Sequence, residues 1–161
     1  MTSVSNLRSQ IKLLSLDVDG VMTDGSVFIS EKGDISKRFN VKDGIAIKNL
    51  LKAGIHVAFI SSARTQTLLN ARAKMLGVKW VYSGELEKLD VMTKWCKKLK
   101  IGLHEVAHMA DDTNDLKLLG AVGVSVCPAD AVDQVRTTVK IVLNTKGGDG
   151  CVREFADRYL L

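Results

Sequence analysis

Residues 11–25, with the sequence IKLLSLDVDGVMTDG, join a short apolar run to a loop that contains three aspartates. The apolar run, residues 11–16, is typical of a buried strand, and Asp17 follows it directly. Side chains alternate along a strand, so Asp17 and Asp19 would share a face if the strand continued to them. Two such carboxylates repel each other unless a cation lies between them. For this motif alone, the alternative is that the aspartates are ordinary turn residues after a strand. The segment therefore predicts a ligand site at the carboxyl end of a parallel strand, where open α/β sheets place their chemistry.

Five further apolar runs follow along the chain, and helical patterns separate them. Asp43 is the predicted N-cap of the first of these helices, whereas Gly54 and Gly77 are the predicted ends of the first and second. Strands that alternate with helices indicate βαβ units, and hence a parallel sheet covered by helices on both faces. The predicted strands are residues 11–16, 57–60, 78–82, 106–109, 122–126 and 139–143.

A β-hairpin is predicted directly after the first strand and its aspartates, where the alternation of strands and helices is interrupted. Its strands would be residues 26–30 and 35–41, joined by a turn at Gly33. A hairpin in this position would project over the aspartates as a flap. Because an isolated hairpin is marginal, its apolar side chains would be poorly buried in a monomer and would mark an interface. These side chains are Val27, Phe28, Ile29 and Phe39.

A second acidic cluster, ADDTND at residues 110–115, follows the fourth predicted strand. Asp112 or Thr113 could simply cap the next helix, which is the alternative for this cluster taken alone. Together, however, the two clusters place hard oxygen ligands at the ends of two strands, which suits Mg²⁺. Ser61 at a strand end and Lys88 at a helix start could bind a phosphate group, with ordinary helix-start and surface roles as the alternatives.

The composition is that of a soluble globular protein, because 161 residues with 46% hydrophobic and 25% charged side chains suit one domain. We expect a disordered tail over residues 1–10, which lack an apolar signal segment, and a single domain over residues 11–161. The net charge of +5 comes from basic residues that are scattered and not interleaved with aromatic residues, which argues against nucleic-acid binding. No apolar run is long enough to cross a bilayer.

The cysteines and histidines show no metal-ligand spacing. An odd number of cysteines without a secretory leader indicates a reducing, cytoplasmic location. For the histidines we expect packing or surface roles. The residues concerned are Cys96, Cys127, Cys151, His56, His104 and His108.

The motifs DVDGVMTDG, Ser61, Lys88 and ADDTND occur in the order of the four motifs of the haloacid dehalogenase superfamily, which the chain resembles. More closely, it is similar to small capless phosphatases that act on 3-deoxy-octulosonate 8-phosphate or on 9-phosphorylated nonulosonates such as KDN and sialic acid. The shared segments include FNVKDGIAI, GELEK, VGVSVCPADA and GGDGCVREF, and the resemblance spans residues 11–159. It implies an α/β Rossmann-like domain with a hairpin flap, no separate cap domain, and a homotetramer.

The resemblance also implies roles for individual residues. Asp17 would be the nucleophile and Asp19 the general acid/base. Asp17, Asp111 and the backbone carbonyl of Asp19 would hold Mg²⁺. Ionised aspartate needs no base to attack phosphorus, whereas Asp19 must be protonated to give a proton to the leaving alkoxide. The phosphoryl group would be held by Ser61 and Lys88, and the acidic loop would be supported by Asp112 and Asp115.

The substrate of such an enzyme carries a carboxylate as well as a phosphate, so further cations are needed. Lys42, Arg64, Arg72 and Arg153 are the candidates, because arginine in particular matches a carboxylate with two parallel hydrogen bonds. The alternative for each of them is a solvated surface charge.

Three departures from the family pattern affect these expectations. Ala110 stands where relatives have glycine, and its methyl group could crowd the metal loop. The run Ser62-Ala63-Arg64 replaces the common Gly-Arg, and the chain ends at Leu161 where many octulosonate phosphatases carry a longer tail. We therefore expect an octulosonate 8-phosphate phosphatase, with a nonulosonate 9-phosphate phosphatase as the second choice. A catalytically silent assembly module, like the C-terminal domain of animal CMP-sialic acid synthetase, is the alternative from another class.

Overall fold

A parallel sheet forms the centre of the structure, a computed structural model that describes residues 4–161, with side chains from Leu7 onward. The strands in this part of the chain are β1 (Leu13–Leu16), β2 (Phe28–Ile29), β3 (Ile35–Ser36), β4 (His56–Ser61), β5 (Trp80–Ser83), β6 (Val106–Met109), β7 (Val124–Cys127) and β8 (Ile141–Val142). Six of these described strands form the sheet in the order β5-β4-β1-β6-β7-β8, and each neighbouring pair is parallel. The α/β fold and the predicted strands are thus confirmed, with bounds that shift by one or two residues.

Helices connect the strands and cover both faces of the sheet. They are α1 (Val4–Gln10), α2 (Val41–Lys52), α3 (Gln66–Leu76), α4 (Lys88–Leu99), α5 (Leu116–Ala121), α6 (Asp133–Arg136) and α7 (Cys151–Phe155), and a last helical turn spans Ala156–Leu160. The part of the chain that the structure describes contains no separate cap domain. Among these residues, no helix combines the length and the apolar character that a bilayer span requires.

The alternation of side chains along β1 divides the core between the two faces. Leu14 and Leu16 are fully buried in the cluster to which α2, α3 and α7 contribute. Leu13 is fully buried on the opposite face, in the cluster with Met92 of α4 and Leu118 of α5. Burial of each such leucine contributes about 1.5–3 kcal/mol, so the strand that carries the first aspartates is held firmly from both sides.

The start of α2 differs from the prediction. Asn40, and not Asp43, is the N-cap, because the Asn40 side chain accepts a hydrogen bond from the Lys42 backbone N–H at 2.8 Å. Asp43 lies in the first turn instead, where its carboxylate accepts a hydrogen bond from the backbone N–H of Arg153 at 2.9 Å. It therefore joins α2 to α7. The predicted end of α3 at Gly77 is confirmed, since this residue has a φ of 80° in the left-handed region.

The first residues also differ from the predicted disordered tail. Val4–Gln10 forms a helix, and Leu7 is 6% exposed and packs into the core. The Gln10 side chain donates a hydrogen bond to the backbone carbonyl of His104 at 3.0 Å. This helix is held in place by the burial of Leu7, and a single leucine is a weak signal in the sequence. The part of the predicted tail at residues 1–3 lies outside the described residues.

The hairpin is present but shorter than predicted. Its strands β2 and β3 contain two residues each and pair antiparallel, and Gly33 has a φ of 83° in the turn. Val27, Phe28 and Ile29 are exposed, as expected. The expectation for Phe39 is wrong, because this ring packs against the core with the Arg72 guanidinium 5.2 Å from its centroid.

Candidate active site

A cavity of about 290 Å³ opens at the carboxyl ends of β1, β4 and β6. It brings together residues that are far apart in sequence but were predicted to meet, because parallel strands end at the same edge of a sheet. The lining residues are Asp17, Asp19, Gly20, Gly25, Ser61, Ser62, Ala63, Asp111, Asp112 and Asn114.

Lys88 joins the two acidic clusters beneath this cavity. Its ammonium group donates to Asp17 Oδ1 at 2.8 Å and to both oxygens of Asp115 at 2.9 and 2.8 Å. The Lys88 side chain is 3% exposed because it begins α4 and points inward under the sheet edge. Asp115 is also in contact with His108, whose Nε2 lies 2.8 Å from Asp115 Oδ1. One buried chain of contacts therefore runs from Asp17 through Lys88 and Asp115 to His108.

The pKa values reflect this arrangement of buried charges. Burial raises the pKa of Asp17 to about 6, although Lys88 lowers it. Burial alone would lower the pKa of Lys88, but Asp17 and Asp115 outweigh it and raise the pKa above its ordinary value. Burial alone would also raise the pKa of Asp115, and the contacts with His108 and Lys88 turn this into a decrease. Lys88 and Asp115 therefore form a firmly ionised pair behind Asp17.

Asp111 completes the predicted metal site. Burial and the negative charge of Asp17 raise the pKa of Asp111 to about 7, because two carboxylates share one enclosed space. A divalent cation between them would remove this repulsion, and hard oxygen ligands fit Mg²⁺. The described residues hold no group of three or more His, Cys, Asp or Glu side chains arranged for a metal ion. The predicted third ligand is a backbone oxygen, the carbonyl of Asp19, so the donor set of Asp17, Asp111 and this carbonyl fits Mg²⁺.

Glycine is required where the loop after β1 meets Asp111. Gly20 has a φ of 84°, and a Cβ atom there would lie 1.9 Å from Asp111 Oδ2. A Cβ atom on Gly147 would in turn lie 1.9 Å from the carbonyl oxygen of Gly20. Segment 147–150, part of the GGDGCVREF motif, thus packs directly against the outside of this loop and fixes its position.

Ala110 does not crowd the metal loop, in contrast to the expectation. It is fully buried and belongs to an apolar cluster with Leu119 of α5, Cys127 and Val135 of α6. The methyl group therefore fills space behind the loop, and the adjacent Asp111 still lines the cavity.

Asp112 and Ser61 both line the cavity. The Asp112 side chain accepts from the Thr113 backbone N–H at 2.6 Å and so caps the short 3₁₀ turn Thr113–Asp115, whereas the residue before α5 is Asp115. Ser61 is 1% exposed, and its Oγ accepts a hydrogen bond from the Ala63 backbone N–H at 3.1 Å. Because the oxygen accepts this bond, the hydroxyl hydrogen can be donated to a bound group.

Sequence reasoning missed two residues of this region. Lys37, directly after β3, donates to Asp19 Oδ1 at 2.5 Å, and its side chain is 2% exposed. This contact ties the hairpin to the predicted acid/base residue. His108 was assigned a packing or surface role, but it contacts Asp115. The strand pattern of residues 106–109 could have indicated a buried histidine in need of a partner, whereas nothing in the local sequence singles out Lys37.

The four cations proposed for a substrate carboxylate are not brought together by this chain. Lys42, Arg64, Arg72 and Arg153 do not line the cavity. Arg64 pairs with Glu85 and is largely exposed. Arg72 donates to the backbone carbonyl of Asn40 at 3.1 Å, and Arg153 pairs with Asp157 at 2.5 Å. Their role in substrate binding stays a prediction.

Comparison with known proteins agrees with this geometry. The family model of haloacid dehalogenase-like hydrolases matches residues 78–155, which include Lys88 and the second acidic cluster. The 3-deoxy-D-manno-octulosonate 8-phosphate phosphatase of Yersinia pestis is 39% identical over 153 residues, 95% of this chain and 81% of that protein.

Solved structures show the same likeness. A crystal structure of the Yersinia pestis 3-deoxy-D-manno-octulosonate 8-phosphate phosphatase is 37% identical, with a TM-score of 0.93 over 97% of this chain and 84% of that chain. The corresponding phosphatase of Moraxella catarrhalis, solved with a magnesium ion, a phosphate ion and a KDO molecule, is 31% identical. Its TM-score is 0.92 over 98% of this chain and 90% of that one. The sequence likeness extends over nearly the whole chain, so the chain is a phosphomonoester hydrolase and not a silent assembly module. It belongs to the 3-deoxy-D-manno-octulosonate 8-phosphate phosphatase family of the haloacid dehalogenase-like hydrolases.

Proposed function

We propose that the chain hydrolyses 3-deoxy-D-manno-octulosonate 8-phosphate in a Mg²⁺-dependent reaction that passes through a phosphorylated Asp17. The observation that carries this proposal is the position of the Asp17 carboxylate. It lies on the floor of the cavity, bonded to Lys88 at 2.8 Å and facing a second carboxylate, Asp111. The names of the relatives supply the substrate class, a phosphorylated sugar acid.

Asp17 is the nucleophile in this proposal. One carboxylate oxygen attacks phosphorus, the bond to the sugar oxygen breaks, and water then cleaves the phosphoryl–aspartate. Lys88 holds the attacking carboxylate in a single position and places positive charge beside the oxygens of the transferring group. Ser61 donates its hydroxyl hydrogen to one of these oxygens.

Asp17, Asp111 and the Asp19 backbone carbonyl would hold Mg²⁺ in this site. When bound, the cation offsets the repulsion between a carboxylate and a phosphate dianion. The raised pKa values of Asp17 and Asp111 support this assignment, since they indicate negative charge that the surrounding protein does not balance fully.

Asp19 is the proposed acid/base residue. It protonates the leaving sugar oxygen and then accepts a proton from the water that attacks the phosphorylated Asp17. Its side chain is 32% exposed and lies at the cavity, so it can reach a substrate bound above Asp17. Lys37 holds the carboxylate at one oxygen and leaves the other available for proton transfer.

A panel of phosphate esters tests the substrate. We expect kcat/KM with Mg²⁺ to be highest for octulosonate 8-phosphate, with loss of activity in EDTA. Equal kcat/KM for octulosonate 8-phosphate and glucose 6-phosphate would remove the sugar-acid assignment and leave the phosphatase assignment standing. A higher value for a nonulosonate 9-phosphate would replace the substrate with the second choice.

We further propose a homotetramer in the cytoplasm. Phe28 and Ile29 of the hairpin are 57% and 68% exposed, and exposed apolar surface of this kind is typical of an interface. The proposed carboxylate-binding cations lie outside the cavity of their own chain, so a neighbouring subunit would supply part of the sugar site. Light scattering tests the assembly, and a fully active monomer at assay concentration would contradict it.

The cysteines Cys96, Cys127 and Cys151 are free and buried, which supports the proposed location in a reducing compartment.

A further inference from the structure

His108 occupies a position in the middle of the sheet where an apolar side chain is the usual occupant. It lies on β6, is fully buried, and is in register with Ser15 on β1 and Ser125 on β7. Residues paired in register project to the same face, and the neighbouring pair on this face is Leu13 with Val106. An imidazole buried among such residues destabilises the fold unless its ring nitrogens have hydrogen-bond partners.

Both ring nitrogens of His108 have partners. Nδ1 lies 3.0 Å from Ser15 Oγ, and Nε2 lies 2.8 Å from Asp115 Oδ1. An ionised carboxylate can only accept hydrogen bonds, so the hydrogen must be on Nε2. Nδ1 is within hydrogen-bond distance of the Ser15 hydroxyl group.

We propose that His108 is a positioning residue for the phosphatase reaction, which it serves by fixing Asp115 so that Asp115 holds the Lys88 ammonium against Asp17. The inference rests on the proposed function, because it takes Asp17 as the nucleophile and Lys88 as the group beside the transferring phosphoryl oxygens.

The geometry explains why a donor at His108 matters. Asp115 Oδ1 accepts from both His108 Nε2 and Lys88 Nζ, while Asp115 Oδ2 accepts from Lys88 Nζ. Without the Nε2–H group, the buried Asp115 carboxylate loses one hydrogen-bond donor and attracts the Lys88 ammonium group more strongly. The ammonium then moves toward Asp115 and away from Asp17. A displacement of about 1 Å at a reacting group can cost about 100-fold in rate.

Two amide variants separate this role from packing. The side-chain amide of His108→Gln reaches about as far as imidazole Nε2 and can donate to Asp115. The shorter amide of His108→Asn reaches only the region of Nδ1, near Ser15. Both variants place a neutral amide in the same apolar surroundings, so they impose a similar burial cost and differ in the donor to Asp115.

The experiment measures kcat and KM on p-nitrophenyl phosphate with Mg²⁺, together with the melting temperature of each variant. We expect kcat to fall by about 10- to 100-fold in His108→Asn, with KM changed by less than about threefold, and to recover in His108→Gln to within about fivefold of wild type. Ser125→Ala is the matched control, since it alters a buried neighbour on the same face whose Oγ accepts from the Lys140 backbone N–H at 3.1 Å. It should lower the melting temperature and leave kcat unchanged.

Equal kcat values for His108→Gln and His108→Asn would overturn the inference, whether both are active or both are impaired. So would a loss of kcat in Ser125→Ala as large as that in His108→Asn. Asp17→Asn is measured in parallel. If it is inactive while both His108 variants are fully active, the positioning role fails and the proposed function stands. If Asp17→Asn is active, the proposed function fails and this inference fails with it.

Discussion

Replacing Lys88 with methionine tests the buried network, because methionine keeps an unbranched side chain of similar length and removes the charge. The Lys88 ammonium lies 2.8 Å from Asp17 and 2.8 Å from the nearer oxygen of Asp115, and the side chain is 3% exposed. Its loss leaves two buried carboxylates without their cation, which costs about 3–5 kcal/mol. Each kcal/mol lowers the melting temperature of a domain of this size by about 2–4 °C, so we expect a decrease of about 6–20 °C.

Activity and stability should both fall in Lys88→Met, but a second substitution should restore only the stability. Loss of one charged donor beside a transferring phosphoryl group lowers kcat by about 10²- to 10³-fold. Addition of Asp115→Asn removes one of the two unbalanced carboxylates, so the double variant should regain much of the melting temperature and none of the kcat. Thermal unfolding is followed in EDTA, because a bound cation would itself compensate Asp17, and kcat is measured with Mg²⁺ on p-nitrophenyl phosphate.

The reasoning about Lys88 would be refuted by a variant that behaves like wild type. A Lys88→Met protein that melts within about 2 °C of wild type in EDTA would mean that the carboxylates are compensated by other groups. A kcat within about threefold of wild type would mean that the ammonium does not act on the transferring group.

Three further changes test single features of the site and its surroundings. Asp17→Asn should retain the fold and lose turnover, because an amide is not nucleophilic, and activity within about tenfold of wild type would contradict the assignment. Gly20→Ala should lower activity by at least about 100-fold, since its Cβ atom would lie 1.9 Å from Asp111 Oδ2. Gly54→Ala is the matched control, because Gly54 has a similar φ of 82°, nothing lies within 4 Å of the new Cβ, and the residue does not line the cavity. Burial raises the pKa of Asp43 from 3.8 to about 6, so the folded state binds the extra proton and its stability falls as the pH rises between these values. The loss is at most about 3 kcal/mol. Asp43→Asn has no carboxyl group to lose this proton. The melting temperature of the variant minus that of wild type should therefore increase from about pH 4 to about pH 7. The assignment to Asp43 would be wrong if the melting temperatures of the two proteins changed in parallel with pH.

Local sequence signals were sufficient for the sheet and for the residues at its edge. Short β-rich runs alternating with amphipathic helices indicate a parallel sheet, because both faces of each strand must be covered. Parallel strands end at one edge, so Asp17, Ser61 and Asp111 were expected to meet, and they line one cavity. These inferences depend on the period of the pattern and on chain direction, both of which can be read directly from the residues.

Other features depend on contacts between distant segments. Asn40 became the N-cap of α2 because Asp43 is engaged by the backbone of Arg153, which is 110 residues away. The last helices, from Cys151 onward, were not predicted, since they are short and gain their stability from packing against α2.

The sequence by itself determined the α/β architecture and the edge of the sheet at which the aspartates gather, because periodicity and strand direction are local properties. The expectation for Lys88 came from the resemblance to a known family. Only the tertiary structure decided that Lys37 reaches Asp19 and that His108 contacts Asp115. The hydrogen-bond partner of a buried polar side chain depends on which distant group folding brings within about 3 Å, and no local pattern records that distance.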